Sequence, residues 1–246
     1  ATVELIAKAD GIIAGLDVFA RTFELLDSQS SVLLDVADGD EVHAGDHVGQ
    51  VRGDARVLLS GERVALNYLQ RMSGIATMTH RYVKKLEGLH TRILDTRKTT
   101  PGMRMLEKEA VKIGGGVNHR IGLFDMILLK DNHVDFAGGI ENAISRCHDY
   151  LKAKGKDLKI EIEVRNLDEL KEVMRVGGVD RIMLDNFSPE LTKEAVKIVG
   201  GKYEIESSGG ITFDTIRDYA ESGVDFVSVG ALTHSVKGLD MSFKAC

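Results

Sequence analysis

Residues 160–185 read IEIEVRNLDELKEVMRVGGVDRIMLD. A β-type run, Ile160–Val164, is followed by apolar residues at helical spacing over Leu167–Val176, a Gly-Gly pair, and a second β-type run, Arg181–Asp185. Strand, helix and strand in so short a span predict a βαβ unit with parallel strands. The rhythm continues on both sides. Arg92–Thr96 and Met126–Lys130 precede it, and Tyr203–Ser207 and Phe226–Gly230 follow, with helical spacing over Ile140–Ala153, Pro189–Val199 and Phe213–Ser222. Six such strands predict a parallel sheet covered on both faces, with near-continuous apolar strands. A closed or nearly closed α/β barrel is favoured over a doubly wound open sheet, because each strand ends in a polar, charged or glycine residue. These are Arg97 and Lys98, Lys130, Glu163, Asp185, Ser208 with Gly209 and Gly210, and Gly230. Barrels assemble active sites from that end of their strands.

Residues 1–91 have another pattern. Val3–Ile13 and Ser31–Leu59 are strand-like runs broken by Asp-Gly and Gly-Asp pairs, the turn chemistry of an antiparallel sheet. Asp17–Leu26 has helical spacing, and a longer helix is predicted from about Glu62 to Leu86 with a break at Ser73-Gly74. The chain is therefore divided into an N-terminal domain with its connecting helix, 1–90, and a barrel domain, 91–246.

With 43% hydrophobic and 28% charged residues the composition is that of a folded globular chain and excludes disorder. The net charge of −6 argues against a protein that coats nucleic acid or an anionic membrane. Its distribution is uneven. Residues 1–50 hold two basic against ten acidic residues, whereas residues 51–133 hold fifteen against eight. A cationic middle in an acidic chain is either a solvated face or the lining of a pocket for small anions. Cys147 and Cys246 have no metal-ligand or disulfide spacing, so a reducing cytoplasm is expected, and no apolar run reaches the ~18 residues of a membrane helix.

The densest chemistry lies in DTRKTTPGMR (95–104), GGGVNHR (114–120) and KDNH (130–133). Arginine offers a fixed fork of donors to carboxylate or phosphate and lysine a mobile charge, so these segments describe a pocket for more than one anionic group. Glu163 and Asp185 fall on neighbouring strands. They could hold Mg²⁺ through water, bind ribose hydroxyls or stabilise developing positive charge; ion pairs with Lys98 or Lys130 are the alternative. Glu161 faces the same way as Glu163. Ser208-Gly-Gly-Ile211 and Val229-Gly-Ala231 would let backbone N–H groups approach a phosphate. No Ser–His–Asp or Cys–His spacing and no HExxH motif is present, which disfavours covalent hydrolase chemistry. A Schiff-base aldolase using Lys98 or Lys130 and a non-catalytic phosphate-binding barrel remain open on these residues alone.

The ordered blocks ERVALNYLQRMSGIAT (62–77), DTRKTTPGMR (95–104), GGGVNHRIGLFD (114–125), LLKDNH (128–133), IEVRNLDE (162–169), MLDNFSPE (183–190), ESSGGI (206–211) and VSVGALTHS (227–235) resemble the quinolinate phosphoribosyltransferase family. The resemblance implies an N-terminal α/β sandwich and an incomplete parallel α/β barrel of about six strands. It also implies a homodimer, or a higher oligomer, with sites shared between subunits. The implied reaction joins quinolinate to phosphoribosyl pyrophosphate with Mg²⁺. Arg97, His119, Arg120 and Lys130, with Arg63 of the partner subunit, would hold the pyridine dicarboxylate. Lys98 and Lys130 would face the pyrophosphate and substrate carboxylates, Glu163 and Asp185 the ribose hydroxyls and the metal, and Ser208, Gly209, Gly210, Gly230 and Ala231 the 5′-phosphate. Small-molecule substrates, and neither nucleic acid nor a membrane, are the implied partners. Members of the family usually carry a segment ahead of the first sandwich strands, and this sequence begins almost at that strand.

Overall fold

The computed structural model describes residues 1–246. In chain order the elements are β1 (Thr2–Ala7), β2 (Gly11–Ile12), α1 (Leu16–Leu26), β3 (Ser31–Leu34), β4 (Glu41–Val42), β5 (His47–Arg52), α2 (Ala55–Lys85), β6 (Arg92–Leu94), α3 (Arg104–Ile113), β7 (Ile127–Leu129), α4 (Asp131–Ala137), α5 (Ile140–Lys154), β8 (Ile160–Val164), α6 (Leu167–Val176), β9 (Arg181–Asp185), α7 (Pro189–Val199), β10 (Glu204–Ser208), α8 (Ile216–Glu221), β11 (Phe226–Ser228), α9 (Ala231–His234) and β12 (Met241–Ala245). They form two compact units that interleave along the chain: Ala1–Val83 with Lys98–Val117 and Gly230–Cys246, and Lys84–Arg97 with Asn118–Val229.

The first unit is built on an antiparallel sheet in the order β12-β1-β5-β3, with β2 and β4 paired beside it. Alternate residues of β1 are buried, as a sheet with one wet face requires. The last strand completes the sheet by pairing Ala7 with Met241 and Val3 with Ala245, which is why the chain end belongs with its beginning. Phe19 and Phe23, one turn apart on α1, turn the same apolar stripe inward and meet edge-on at 5.3 Å; Phe23 stacks on Phe243 of β12 at 5.7 Å. Gly61 of α2 lets that helix come close, since a Cβ there would lie 2.8 Å from the Phe23 ring.

The second unit is a six-stranded parallel sheet in the order β6-β11-β10-β9-β8-β7. Every strand from β7 onward pairs with the next in sequence, and the first strand, β6, pairs with the last, β11. That is the order of a ring opened between β6 and β7, and it excludes the doubly wound alternative. The helices between strands carry conventional signals. Asn166 caps α6 by accepting from the Asp168 and Glu169 N–H groups, Ser188 caps α7 ahead of Pro189, and Gly155 and Gly200 end α5 and α7 in the left-handed region.

Two expectations are corrected. The strands are not apolar on both faces. Ile160, Ile162, Val164, Ile182, Leu184 and Ile205 form one buried aliphatic face, while the alternating positions carry Glu161, Glu163, Arg181, Glu204 and Glu206. Nor does a break fall at Ser73-Gly74, because α2 runs unbroken from Ala55 to Lys85 and takes in the strand-like run up to Leu59. Gly74 serves a close approach instead. A Cβ there would collide with the Lys237 carbonyl oxygen and lie 3.0 Å from the Gly238 Cα. Helix propensity favours alanine over glycine by about 1 kcal/mol. Gly74→Ala is nevertheless expected to lower the unfolding free energy, by about 1–3 kcal/mol for overpacking against backbone; urea denaturation with a gain in stability would contradict this contact.

Candidate active site

The end of the second unit's sheet at which its strands finish collects the chemistry. Lys130 follows β7 and places its Nζ 3.3 Å from the Glu163 Oε2 on β8. Burial raises the pKa of Glu163; Lys130 lowers it and the charge of Asp185, at the end of β9, raises it again. The two carboxylates and the lysine thus form one electrostatic group, and the ion-pair reading of Lys130 holds as far as this contact. Asp185 is oriented by its neighbour Asn186, whose Nδ2 donates to it at 2.7 Å. Asn186 is the one non-glycine residue at positive φ, 57°, and its N–H donates to the Ser208 carbonyl at 2.9 Å. Left-handed backbone there costs less for asparagine than for most residues.

Ser208 ends β10 and is followed by Gly209 and Gly210, both at positive φ. A Cβ on Gly209 would also lie 2.7 Å from the Asn186 Cγ, whereas nothing lies within 4 Å of one on Gly210. The turn therefore demands glycine twice and leaves its backbone open at the second. Such a turn can receive a phosphate oxygen.

Arg97 and Arg120 are close enough for the charge of Arg97 to depress the pKa of Arg120, after burial, the larger cause. Like charges held together favour an anion between them. His119 precedes Arg120 and is nearly buried. Its Nε2 lies 2.9 Å from the Glu161 Oε2 and 3.3 Å from the Glu206 Oε2, and both of these glutamates are fully buried. Burial works against charge on the ring, but hydrogen bonds to Glu161 and Glu206 outweigh it and take its pKa up to about 9. Nδ1 makes the opposite demand, since it accepts the Arg120 N–H at 2.7 Å, which a ring protonated at both nitrogens cannot do. The ring proton is therefore the one on Nε2. Burial and the Glu206 charge push the Glu161 carboxyl up to about 7. Arg181 of β9 supplies the remaining compensation, 3.4 Å from Glu206 and 3.0 Å from Glu204.

In the first unit, the segments that carry Lys98 and Gly230 are held by a half-buried ion pair. Arg71 of α2 meets Glu107 of α3 at 2.9 Å and also donates to the Thr100 hydroxyl and the Thr233 carbonyl. Glu107 accepts the Thr100 N–H at 3.0 Å, and the Thr233 hydroxyl donates to the Lys98 carbonyl at 2.8 Å. One guanidinium thereby ties the Lys98–Thr100 segment to the Gly230–Thr233 turn. A Cβ on Gly230 would lie 3.2 Å from the Lys98 Cδ, so the glycine makes room for that side chain. Arg63 lies exposed on α2.

Models of quinolinate phosphoribosyl transferase match the chain almost end to end, the N-terminal domain over residues 1–73 and the C-terminal domain over 75–244. The chain belongs to the quinolinate phosphoribosyl transferase family. It is 46% identical over 253 aligned positions to the chloroplastic carboxylating nicotinate-nucleotide pyrophosphorylase of Arabidopsis thaliana, covering 97% of this chain and 72% of that one. It is 45% identical to a probable enzyme of the same name from Bacillus subtilis, covering 97% and 81%. The crystal structure of NadC from Streptococcus pyogenes superposes with a TM-score of 0.92 at 44% identity, over 99% of this chain and 86% of that one.

Sequence reading singled out the strand-end residues and passed over Arg71, Glu107, Asn186 and Glu206. Arg71 and Glu107 look like ordinary helix-surface charges, and Glu206 like the polar half of an alternating strand. Asn186, directly after a strand-ending Asp, carried the one readable signal, because asparagine tolerates left-handed backbone. Its two contributions are separable. Asn186→Gly is expected to retain the turn, whereas Asn186→Ala loses both the hydrogen bond and backbone tolerance and costs about 1–2 kcal/mol more in thermal or urea unfolding.

Proposed function

We propose that this chain transfers the phosphoribosyl group of phosphoribosyl pyrophosphate to quinolinate with decarboxylation, giving nicotinate mononucleotide, pyrophosphate and CO₂, a step of NAD biosynthesis. Family membership along the whole chain supports this reading. The observation that carries it is the pairing of Arg97 and Arg120 beside His119, a cationic pair suited to a dicarboxylate.

The two carboxylates of the pyridine are held by the guanidinium groups of Arg97 and Arg120 beside the His119 ring, with Lys130 and Arg63 of the partner subunit completing the set. Holding the ring in this way presents its nitrogen to the anomeric carbon of the ribose and removes the entropic cost of the encounter. As the nitrogen–carbon bond forms, the bond to pyrophosphate breaks and its electron pair leaves with the pyrophosphate oxygen. The ribose carbon gains positive character, and Glu163 and Asp185 are the carboxylates that face it, as carboxylates do in glycoside cleavage. The backbone of Ser208, Gly209 and Gly210 receives the 5′-phosphate, and the family resemblance further gives Lys98 the departing pyrophosphate and Gly230 and Ala231 a share in binding phosphate. Once the nitrogen is alkylated, the C2–carboxylate bond breaks, CO₂ leaves, and the electron pair left on C2 is stabilised by the adjacent positive nitrogen until C2 takes up a proton from water. No protein nucleophile is needed.

Mg²⁺ fits the residues present. Glu163 and Asp185 are two hard oxygen donors held close enough to repel, and a divalent ion that keeps water and phosphate oxygens as its other ligands suits such a pair. When bound it would supply neutralisation of pyrophosphate charge.

A homodimer follows from the role given to Arg63 and is supported by apolar surface on the first unit. Leu25, Leu26, Leu59 and Val64 are exposed, and a groove of about 750 Å³ between α1 and α2 is lined by Leu25, Leu26, Val64 and Tyr68. No helix is long and apolar enough to cross a membrane, and the place of action we assign is the cytoplasm.

Incubation with quinolinate, phosphoribosyl pyrophosphate and Mg²⁺ is expected to release CO₂ and nicotinate mononucleotide; product no greater than background would end this reading. Arg63→Ala and Lys98→Ala, each inactive alone, are expected to regain partial activity on mixing, because one hybrid site is intact. Verified subunit exchange without recovery would show that the site is not shared.

A further inference from the structure

Two fully buried carboxylates, Glu161 and Glu206, play no part in the chemistry just described, and a buried carboxylate is costly unless something offsets it. Both converge on one atom, the Nε2 of His119. We infer that Glu161 and Glu206 are positioning residues: they lock the His119 ring, and through it the backbone of His119 and Arg120, so that the Arg97–Arg120 pair meets the substrate carboxylates in one fixed geometry. The inference rests on the reading of Arg97, His119 and Arg120 as the dicarboxylate site.

Both ring nitrogens of His119 lie in close contact with buried groups. Nε2 faces the two glutamates, and Nδ1 accepts the Arg120 N–H at 2.7 Å. The His119 backbone N–H donates to Asp95, itself fully buried after β6, at 2.8 Å. Arg120 extends the chain of contacts by donating to the Met126 carbonyl at 3.4 Å. Rotation of the ring would pull Nε2 away from the two carboxylates and break the hydrogen bond at Nδ1, and a buried imidazole has no water with which to replace them. The glutamates reach His119 from β8 and from β10, two strands apart, so the ring is braced from separate parts of the sheet.

The charged and polar groups around the cluster are Asp95 after β6, Glu161 of β8, Arg181 of β9, Glu204 and Glu206 of β10, and Ser228 of β11, with Arg97 and Arg120 on the site side. His119, Glu161 and Glu206 also place one ligand atom each within 4.8 Å of the others, close enough to surround a cation. Arg181 already stands 3.4 Å from Glu206, so compensating charge for the carboxylates is supplied from within. The sequence offers no hint of this arrangement. Glu161 and Glu163 differ by one turn of the pleat, yet one is locked to a histidine and the other to Lys130.

The test compares wild type with Glu161→Gln and Glu206→Gln, which keep side-chain size. The KM for quinolinate is expected to rise about ten- to hundredfold in each, as for a loss of orientation, while the KM for phosphoribosyl pyrophosphate stays within about twofold. In ligand-free wild type at fixed pH, nitrogen-15 NMR is expected to show His119 protonated at Nε2 with slow exchange, and the variants are expected to lose that protection. Equal rises in both KM values, or no rise in either, would overturn the proposal. If a variant fails to fold, the wild-type spectrum decides: an unprotected Nε2 proton would overturn the lock. Stoichiometric binding of Zn²⁺ or Mn²⁺ that Glu161→Gln abolishes would overturn it in favour of a metal site. Absence of wild-type turnover would instead remove the proposed reaction, and a protected Nε2 proton would still establish the lock.

Discussion

The pairing of β6 with β11 is the constraint from which the second unit follows. Ile93 lies opposite Val227 and Leu94 opposite Ser228, and the Val229 N–H donates to the Leu94 carbonyl at 3.0 Å, across more than half the length of the chain. Closing so long a loop costs entropy, though the cost grows only logarithmically with length. Once the pairing is made, a ladder of βα repeats takes the order of a ring open between β6 and β7, and the strand ends at Lys130, Glu163, Asp185 and Ser208 share one rim. The same arrangement turns one face of the strands inward, which leaves Glu161 and Glu206 no access to water.

Those glutamates explain the charge pattern on the sheet. Arg181 answers Glu204 and Glu206, and His119 answers Glu161 and Glu206, so that each acidic group is met by a cation or a proton. A hydrophobic interior would have been simpler to stabilise, and buried ionic groups are weak evidence for stability. Their placement directly behind the His119–Arg120 segment is better explained by orientation. In the first unit the Arg71–Glu107 pair performs a comparable service for Lys98 and the Gly230 turn. Both networks stand one layer behind groups assigned to substrate.

Much of this was legible in the residues. Five β-type runs between 126 and 230 and the run at 92 became strands, with ends within one or two residues of the reading, because hydrophobic period and glycine punctuation are local signals. The helices α5, α6 and α7 were legible for the same reason. Less was legible where a local signal had a distant cause. Gly74 read as a helix break, since only the 237–238 backbone lying against it reveals why glycine stands there. The short strand β12 escaped notice because five residues of mixed character become a strand only when β1 is present to pair with them.

The sequence by itself determined the order and type of elements, the concentration of positive charge between residues 51 and 133, and the strand-end residues from Arg97 to Gly230. Each depends on neighbours within a few positions or on residue type alone. Only the tertiary structure decided that β6 pairs with β11, that Glu161 and Glu206 are sealed against His119 while Glu163 meets Lys130, and that Arg71 joins Glu107. Those outcomes depend on burial and on partners tens of residues away. A carboxylate's behaviour is set by the water it loses and the charge it gains, and neither is written in its own segment of chain.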